Sequence, residues 1–284
     1  MKAYLRNRLL PIAVAQSLLL YALALAAGVP LEAAVLAGTL IALGLAILAE
    51  RLWPYREDWH PDRRELIDDA SSAGVVLLAI DPLLKSTLPI LAVALYPSAA
   101  TLASWPLFAE IVVVSLLIEL GKYLSHRAHH QFAPLWCLHA MHHSPEKLNA
   151  VNGFRVHPLN YLINGLAVLP PLYLGASPEA VFGYLALTQP VQMLQHANAD
   201  LDNGFWNHVF SSNELHRWHH AADARVGHAN YGNALAIWDQ VFGTWRGPGH
   251  VVDIGLFARS RAEYPARAGY WRQLLSCGVC CARA

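Results

Sequence analysis

Apolar and polar positions alternate along this chain in long blocks. After a short basic start (Lys2, Arg6, Arg8), Leu9 to Gly28 is almost wholly apolar, and Leu31 to Ala49 follows after only Val29-Pro30. A helix rises about 1.5 Å per residue, so roughly 20 apolar residues cross a bilayer core of about 30 Å. The two runs therefore predict a transmembrane hairpin. A polar island from Glu50 to Asp69 comes next and carries Arg51, Arg56, Arg63 and Arg64. Ser71 to Tyr96 is apolar again but is interrupted by Asp81-Pro82 and Lys85. Asp81 and Lys85 are four apart, which predicts a buried pair inside the bundle or a break between two shorter helices. Pro97 to Pro106 has no charge, and Leu107 to Leu124 supplies a fourth crossing. Two shorter runs, Leu159 to Leu174 and Pro178 to Leu194, meet at Gly175-Ala176-Ser177 and form either a spanning pair or a re-entrant hairpin.

These blocks predict an all-α integral membrane protein with four transmembrane helices, a short hydrophobic hairpin and a helical cap. Residues 1–284 read as one domain: a stem over 1–125, a histidine-rich region over 126–250 and a tail over 251–284. Lys and Arg concentrate in the N-terminus and the 50–69 island, so the positive-inside rule places both, and the cap with the C-terminus, in the cytoplasm.

Composition supports the membrane reading. Hydrophobic residues make up 55% of the chain and charged residues only 14%, against roughly 25% in average proteins. A formal net charge of zero gives no basis for a nucleic-acid partner. Of the four cysteines, Cys137 falls in the histidine-rich region, and Cys277, Cys280 and Cys281 crowd the C-terminus, where they read as reduced thiols on a cytoplasmic tail. Metal binding or lipid attachment are alternative roles for these three.

The chemistry lies in the histidines. Thirteen of the fifteen fall between 126 and 228. They form His126/His129/His130, His139/His142/His143 and His216/His219/His220, and the i, i+3, i+4 spacing lets each cluster present imidazoles in one direction from about one turn of helix. Imidazole suits iron, copper, zinc and nickel. Eight or so such ligands exceed the four that one zinc ion takes and suit two metal ions. Other chemistries are missing. There is no His-Glu-x-x-His zinc-protease motif, no pair of Glu-x-x-His motifs for a carboxylate di-iron site (Glu57-x-x-His60 stands alone), no Gly-x-Ser-x-Gly elbow and no phosphate-binding glycine loop.

The ordered set of His126-x-x-x-His130, His139-x-x-His142-His143, a lone His196 after the hairpin, and His216-x-x-His219-His220 resembles the sterol desaturase / fatty acid hydroxylase superfamily. The flanks are similar too: Ser144, Leu148-Asn149-Ala150, Arg155-Val156-His157-Pro158, His196-Ala197-Asn198, Asn230-Tyr231-Gly232 and the run Leu235 to Thr244. The resemblance covers about Glu119 to Thr244. It implies a membrane di-iron oxygenase with His126, His130, His139, His142, His143, His196, His216, His219 and His220 as ligands to two iron ions. It also implies hydroxylation or desaturation of an unactivated C–H bond of a sterol, fatty acyl or related lipid. The co-reactants it implies are O2 and electrons from a separate reductase, ferredoxin or cytochrome. An alkyl C–H bond offers no acid, base or leaving group, so the metal must carry the chemistry.

His129 and His157 are additional candidates, as weak ligand and ligand-supporting residue. Glu119, two turns before His126, is expected either to orient a ligand or bridge metals, or to pair with Lys122. Asp200 occupies a position where some members of the superfamily carry a further histidine. His60, His208, His228 and His250 read as surface or supporting residues, and Arg127 and Arg217 as partners of nearby carboxylates. The competing class is a metal transporter or metal-sensing membrane protein, whose ligands would sit within the spans near the midplane.

Overall fold

The computed structural model describes residues 5–95, 101–251 and 253–276. Helices carry the fold, and the described residues contain only isolated β-bridges, such as Phe210 with Leu235. The elements are α1 (Leu9–Ala27), α2 (Leu31–Leu52), α3 (Arg63–Val75), α4 (Asp81–Leu95), α5 (Leu107–Gln131), α6 (Ala133–His143), α7 (Pro158–Gly165), α8 (Leu169–Tyr173), α9 (Pro178–Gln195) and α10 (Asn213–His219). Four short helices follow: α11 (Ala224–Gly227), α12 (Ile237–Val241), α13 (Ala258–Glu263) and α14 (Tyr270–Leu274).

Three stretches are long and apolar enough to cross a membrane: α1, α2, and the nearly continuous helix from Arg63 to Ala94. The last contains a π-helical segment, Val76–Ile80, just before Asp81-Pro82. Pro82 has no N–H to give to the helical ladder, and a widened turn is a common way for a helix to absorb such a break. The Asp81–Lys85 pair forms at 2.6 Å, with Tyr161 donating to Asp81 Oδ1 at 3.1 Å. The lysine is largely exposed rather than buried. The fourth expected crossing lies on α5. This 25-residue helix carries Glu110, Glu119 and Lys122 and does not meet the apolarity of the other three.

The bundle that supports the histidines is α1, α2, α5 and α9. Ala13, Ala42, Ala46, Val191 and Leu194 are buried in one core among α1, α2 and α9. Val114, Ile118, Ala180 and Tyr184 form a second between α5 and α9. Backbones approach closely: a Cβ on Gly121 of α5 would stand 2.8 Å from the Ala167 Cβ.

Among the described residues, the turns away from the histidines meet at one end. The Leu102 and Ala103 N–H groups donate to the Leu174 and Gly175 carbonyls, and Glu110 accepts from the Ser177 N–H and Oγ. Tyr21, near the tip of the α1–α2 hairpin, donates to the Glu179 carbonyl. The turn at Gly175 (φ 72°) therefore sits level with the start of α5, so the α7–α9 hairpin runs the length of α5. Leu5 to Arg8, the end of α2, the end of α5 and the end of α9 gather at the opposite end, where the described residues from Ala133 to His157 and those after Gln195 form the cap.

Candidate metal centre

Nine histidines converge in this cap as two nests. His126, His130, His139, His143 and His219 form one, and His142, His196, His216 and His220 form the other. Within each nest the ligand nitrogens lie within 4.8 Å of one another. These are the nine residues singled out from the sequence.

The clusters do not, however, each face one way. Adjacent helical residues point about 100° apart, so His142 and His143 enter different nests, as do His219 and His220. Helix α6 gives His139 and His143 (i, i+4) to the five-histidine nest and His142 to the other. At α10 the pattern reverses: His216 and His220 enter the four-histidine nest and His219 the first. His126 and His130 come from the last turns of α5, and His196 follows the end of α9. The nests share a wall in which the His143 and His220 rings stack with centroids 4.2 Å apart.

Hydrogen bonds behind the rings set which nitrogen faces the centre. A carbonyl oxygen only accepts, so a ring nitrogen bonded to one must carry the proton. His126 Nδ1 donates to the Tyr231 carbonyl at 2.9 Å and His219 Nδ1 to the Ala229 carbonyl at 2.7 Å. In the second nest His142 Nδ1 donates to the Arg155 carbonyl at 3.3 Å, and His196 Nδ1 to Asn152 Oδ1 at 2.9 Å. Asn152 Nδ2 donates to the Lys147 carbonyl, so its oxygen is the atom that faces His196. Each of these four Nε2 atoms therefore presents a lone pair inward.

That arrangement fits a bound cation. His142 Nε2 and His196 Nε2 are 3.3 Å apart, and neither has a proton to share. Two lone pairs at that distance repel unless a positive charge lies between them. Two nitrogens on one metal ion, each about 2.1 Å from it, stand about 3.0 to 3.4 Å apart. His219 Nε2 and both nitrogens of His130 and His143 are buried without hydrogen-bond partners, a costly state for polar atoms that have no ligand to bind. Burial holds His142 down to about 4 and His139, His143, His196, His216, His219 and His220 well below the usual histidine range. All are neutral at pH 7, the form that binds metal.

The additional candidates fall outside both nests. His129 faces back along α5, with Nδ1 donating to the Ser125 carbonyl at 2.8 Å. His157 caps α7: its Nδ1 accepts from the Leu159 N–H and its Nε2 donates to the Leu274 carbonyl. Asp200 pairs with Arg6 near the start of the chain. Glu119 does not pair with Lys122, whose ammonium lies over the Tyr184 ring. Its carboxylate instead accepts from the Ala234 and Leu235 N–H groups, the Tyr184 hydroxyl and Asn233 Nδ2. Arg217 stacks over the Tyr55 ring at 3.6 Å rather than meeting a carboxylate, and Arg127 donates to the Tyr123 hydroxyl.

His208 stacks on Trp245, His250 meets the Tyr55 hydroxyl, and the His60 carbonyl accepts from Lys147. His228 lies at the rim, its ring 5.7 Å from that of His130. Cys137 is a buried thiol in neither nest. Cys277, Cys280 and Cys281 lie outside the described residues. The residues that sequence reasoning passed over are those behind the ligands: Asn152, Asp239, Glu50 and the carbonyls of Arg155, Ala229 and Tyr231. Several stand in the flanking motifs, which were legible as a pattern but not as a role.

Comparison with known proteins agrees with this geometry. The family described as fatty acid hydroxylase matches residues 111–244. An ornithine lipid hydroxylase from Rhizobium tropici is 32% identical over 75% of this chain and 68% of its own length. Alkylglycerol monooxygenases from Caenorhabditis elegans and Homo sapiens are 30% and 27% identical over 45% and 49% of this chain. The matches span only 25% and 31% of those two relatives. No solved structure matches the chain.

Proposed function

The chain belongs to the fatty acid hydroxylase family, and from that premise we propose that it is a membrane di-iron oxygenase that hydroxylates an unactivated C–H bond of a lipid. The supporting observation is the pair of buried histidine nests at one end of an apolar helical bundle. His126, His130, His139, His143 and His219 would hold one iron, and His142, His196, His216 and His220 the other. Iron held there would supply O2 activation, with electrons from a separate reductase, ferredoxin or cytochrome.

The protein's own part is to bind, aim and enclose. Carbonyls behind the rings fix the imidazole tautomers, which raises their basicity and holds their direction. All nine rings are almost entirely withdrawn from solvent, which keeps bulk water from the reacting carbon. The candidate ligands lie in the last turns of α5, just after α9 and on the cap helices α6 and α10, rather than at mid-span as in a transporter.

The relatives bear the names ornithine lipid hydroxylase and alkylglycerol monooxygenase. These favour hydroxylation over desaturation, and an acyl or alkyl lipid with a polar head over a sterol. We infer a cytoplasmic histidine end from the charge pattern. Arg6, Arg8, Arg51, Arg56, Arg63 and Arg64 cluster at that end, whereas the opposite turns carry no Lys or Arg.

The test is lipid analysis of cells with and without the chain under ¹⁸O-labelled dioxygen. One labelled oxygen in a new hydroxylated lipid is expected. Absence of any oxygenated lipid in cells producing iron-loaded protein, or an oxygen derived from water, would overturn the proposal.

A further inference from the structure

Two of the five ligands in the first nest, His126 from α5 and His219 from α10, are aimed by carbonyls of one short segment, Ala229 to Leu235. The two carbonyls flank Asn230, which has a left-handed backbone (φ 54°), a conformation asparagine tolerates better than most residues. Its side chain is tied by Arg246 N–H donating to Oδ1 and by Nδ2 donating to the Leu215 and Arg246 carbonyls. What holds the rest of the segment is negative charge. Asp239 accepts the Tyr231 N–H at 2.8 Å, the Gly232 N–H at 2.7 Å and the Thr244 hydroxyl at 2.7 Å. Glu119 accepts the Ala234 and Leu235 N–H groups, each at 2.8 Å. Four of five consecutive backbone positions thus donate to two carboxylates, both buried to 1% exposure or less. Gly232 is required, because a Cβ there would lie 2.8 Å from Asp239 Oδ2 and 2.5 Å from the Leu235 carbonyl oxygen.

We propose that Asp239 and Glu119 are positioning residues for the five-histidine nest, acting through the Ala229–Leu235 segment to set the tautomer and direction of His126 and His219. The inference deepens the two-metal reading and rests on it. Neither carboxylate is a metal ligand. Their function is to present only acceptor oxygens to N–H donors, which an amide of the same shape cannot do at both oxygen positions. Asp239→Asn puts an NH2 group against either Gly232 N–H or the Tyr231 N–H and Thr244 pair. The segment then shifts and its two carbonyls move off the rings. Loss of such ligand-orienting contacts weakens metal binding by about 10- to 100-fold. The second nest takes its orientation from Asn152 and the Arg155 carbonyl, so it is left intact.

The experiment measures iron per chain and iron release to a chelator in detergent-purified full-length protein, with Asp239→Asn placed in three backgrounds. In the otherwise unchanged protein, one of two irons becomes about 10- to 100-fold easier to remove. With His216→Ala/His220→Ala, where only the first nest is complete, the remaining iron is weakened equally. With His139→Ala/His143→Ala, where only the second nest is complete, the remaining iron is held as before, which also shows that the substituted protein is folded. Glu119→Ala, which leaves the Ala234 and Leu235 N–H groups without their shared acceptor oxygen, follows the same pattern. Unchanged release in the first two backgrounds, or equal loss from both nests, overturns the inference. Fewer than two irons in the unsubstituted protein would instead overturn the two-metal reading beneath it.

Discussion

The two histidine nests are built from the same materials with opposite bias. The first has five imidazoles, drawn from α5, α6 and α10; the second has four, drawn from α6, α10 and the residue after α9. The ring-holding loops also differ. The first nest relies on the late Ala229–Leu235 segment, clamped by Asp239 and Glu119. The second relies on the 149–155 segment. There Glu50, at the end of α2, accepts from the Ala150 and Asn198 N–H groups, and Arg155 is fixed by Asp69 at 2.6 Å. The lesson is that Asp239, Glu119 and Glu50 point at backbone N–H groups and Asp69 at a guanidinium, none of them at a histidine nest. The stem helices reach the cap through them, since Glu50 and Glu119 stand on α2 and α5.

The contrast in ligand number gives the largest expected effect. The four-histidine nest has no spare ligand. His220→Ala is expected to release its iron and lower hydroxylation by more than about a thousandfold, whereas His143→Ala leaves four imidazoles and its nest retains weakened iron. Elemental analysis and product yield on the two variants check this, and equal iron loss in both would remove the distinction.

Next is the Asp69–Arg155 pair. Asp69→Asn leaves a guanidinium buried without its counter-charge and is expected to destabilise the protein by about 3 to 5 kcal/mol. The thermal unfolding midpoint of detergent-solubilised protein reads this, with a fall of several degrees expected. Glu50→Ala, which leaves the Ala150 and Asn198 N–H groups without their shared acceptor oxygen, sharpens the comparison further. It should loosen the four-histidine nest by about 10- to 100-fold and spare the five-histidine nest, the reverse of Asp239→Asn. Chelator release in the same double-histidine backgrounds distinguishes them. The smallest effect is expected at His129 and His208. Neither joins a nest, so His129→Ala and His208→Ala should keep both irons, with only stability reduced at the buried His129.

Much of this was legible in the sequence, for definite physical reasons. Apolar runs such as Leu9 to Gly28 and Leu31 to Ala49 announce spans because length and hydropathy are local properties. The candidate ligands of the three clusters stood out because imidazoles at i, i+3 and i+4 are rare in such numbers, and His196 through its place after the hairpin. Their division into nests was harder to see. His142 and His143 are neighbours in sequence but face about 100° apart on a helix, so the sorting needs the partner helices in place. Glu119 illustrates the rest. Its spacing from His126 suggests a ligand-orienting role, yet its actual partners, Ala234 and Leu235, lie more than a hundred residues away. His157 was expected to support a ligand because of its flanking motif, but its Nδ1 is taken up by capping α7 and its Nε2 by the Leu274 carbonyl. The interrupted apolar stretch around Asp81 was read as a buried pair or a break between two shorter helices; instead a π-helical segment, Val76–Ile80, keeps the helix nearly continuous past Asp81-Pro82, and Lys85 is largely exposed.

The central claim is that each nest holds one iron independently. The most direct measurement is iron per chain in protein purified from iron-supplemented cells, for the unsubstituted chain, His139→Ala/His143→Ala and His216→Ala/His220→Ala. The expected values are about two, one and one, with the helical content of all three unchanged. A single iron in the unsubstituted chain, or loss of all iron from both variants while they remain folded, would contradict the account.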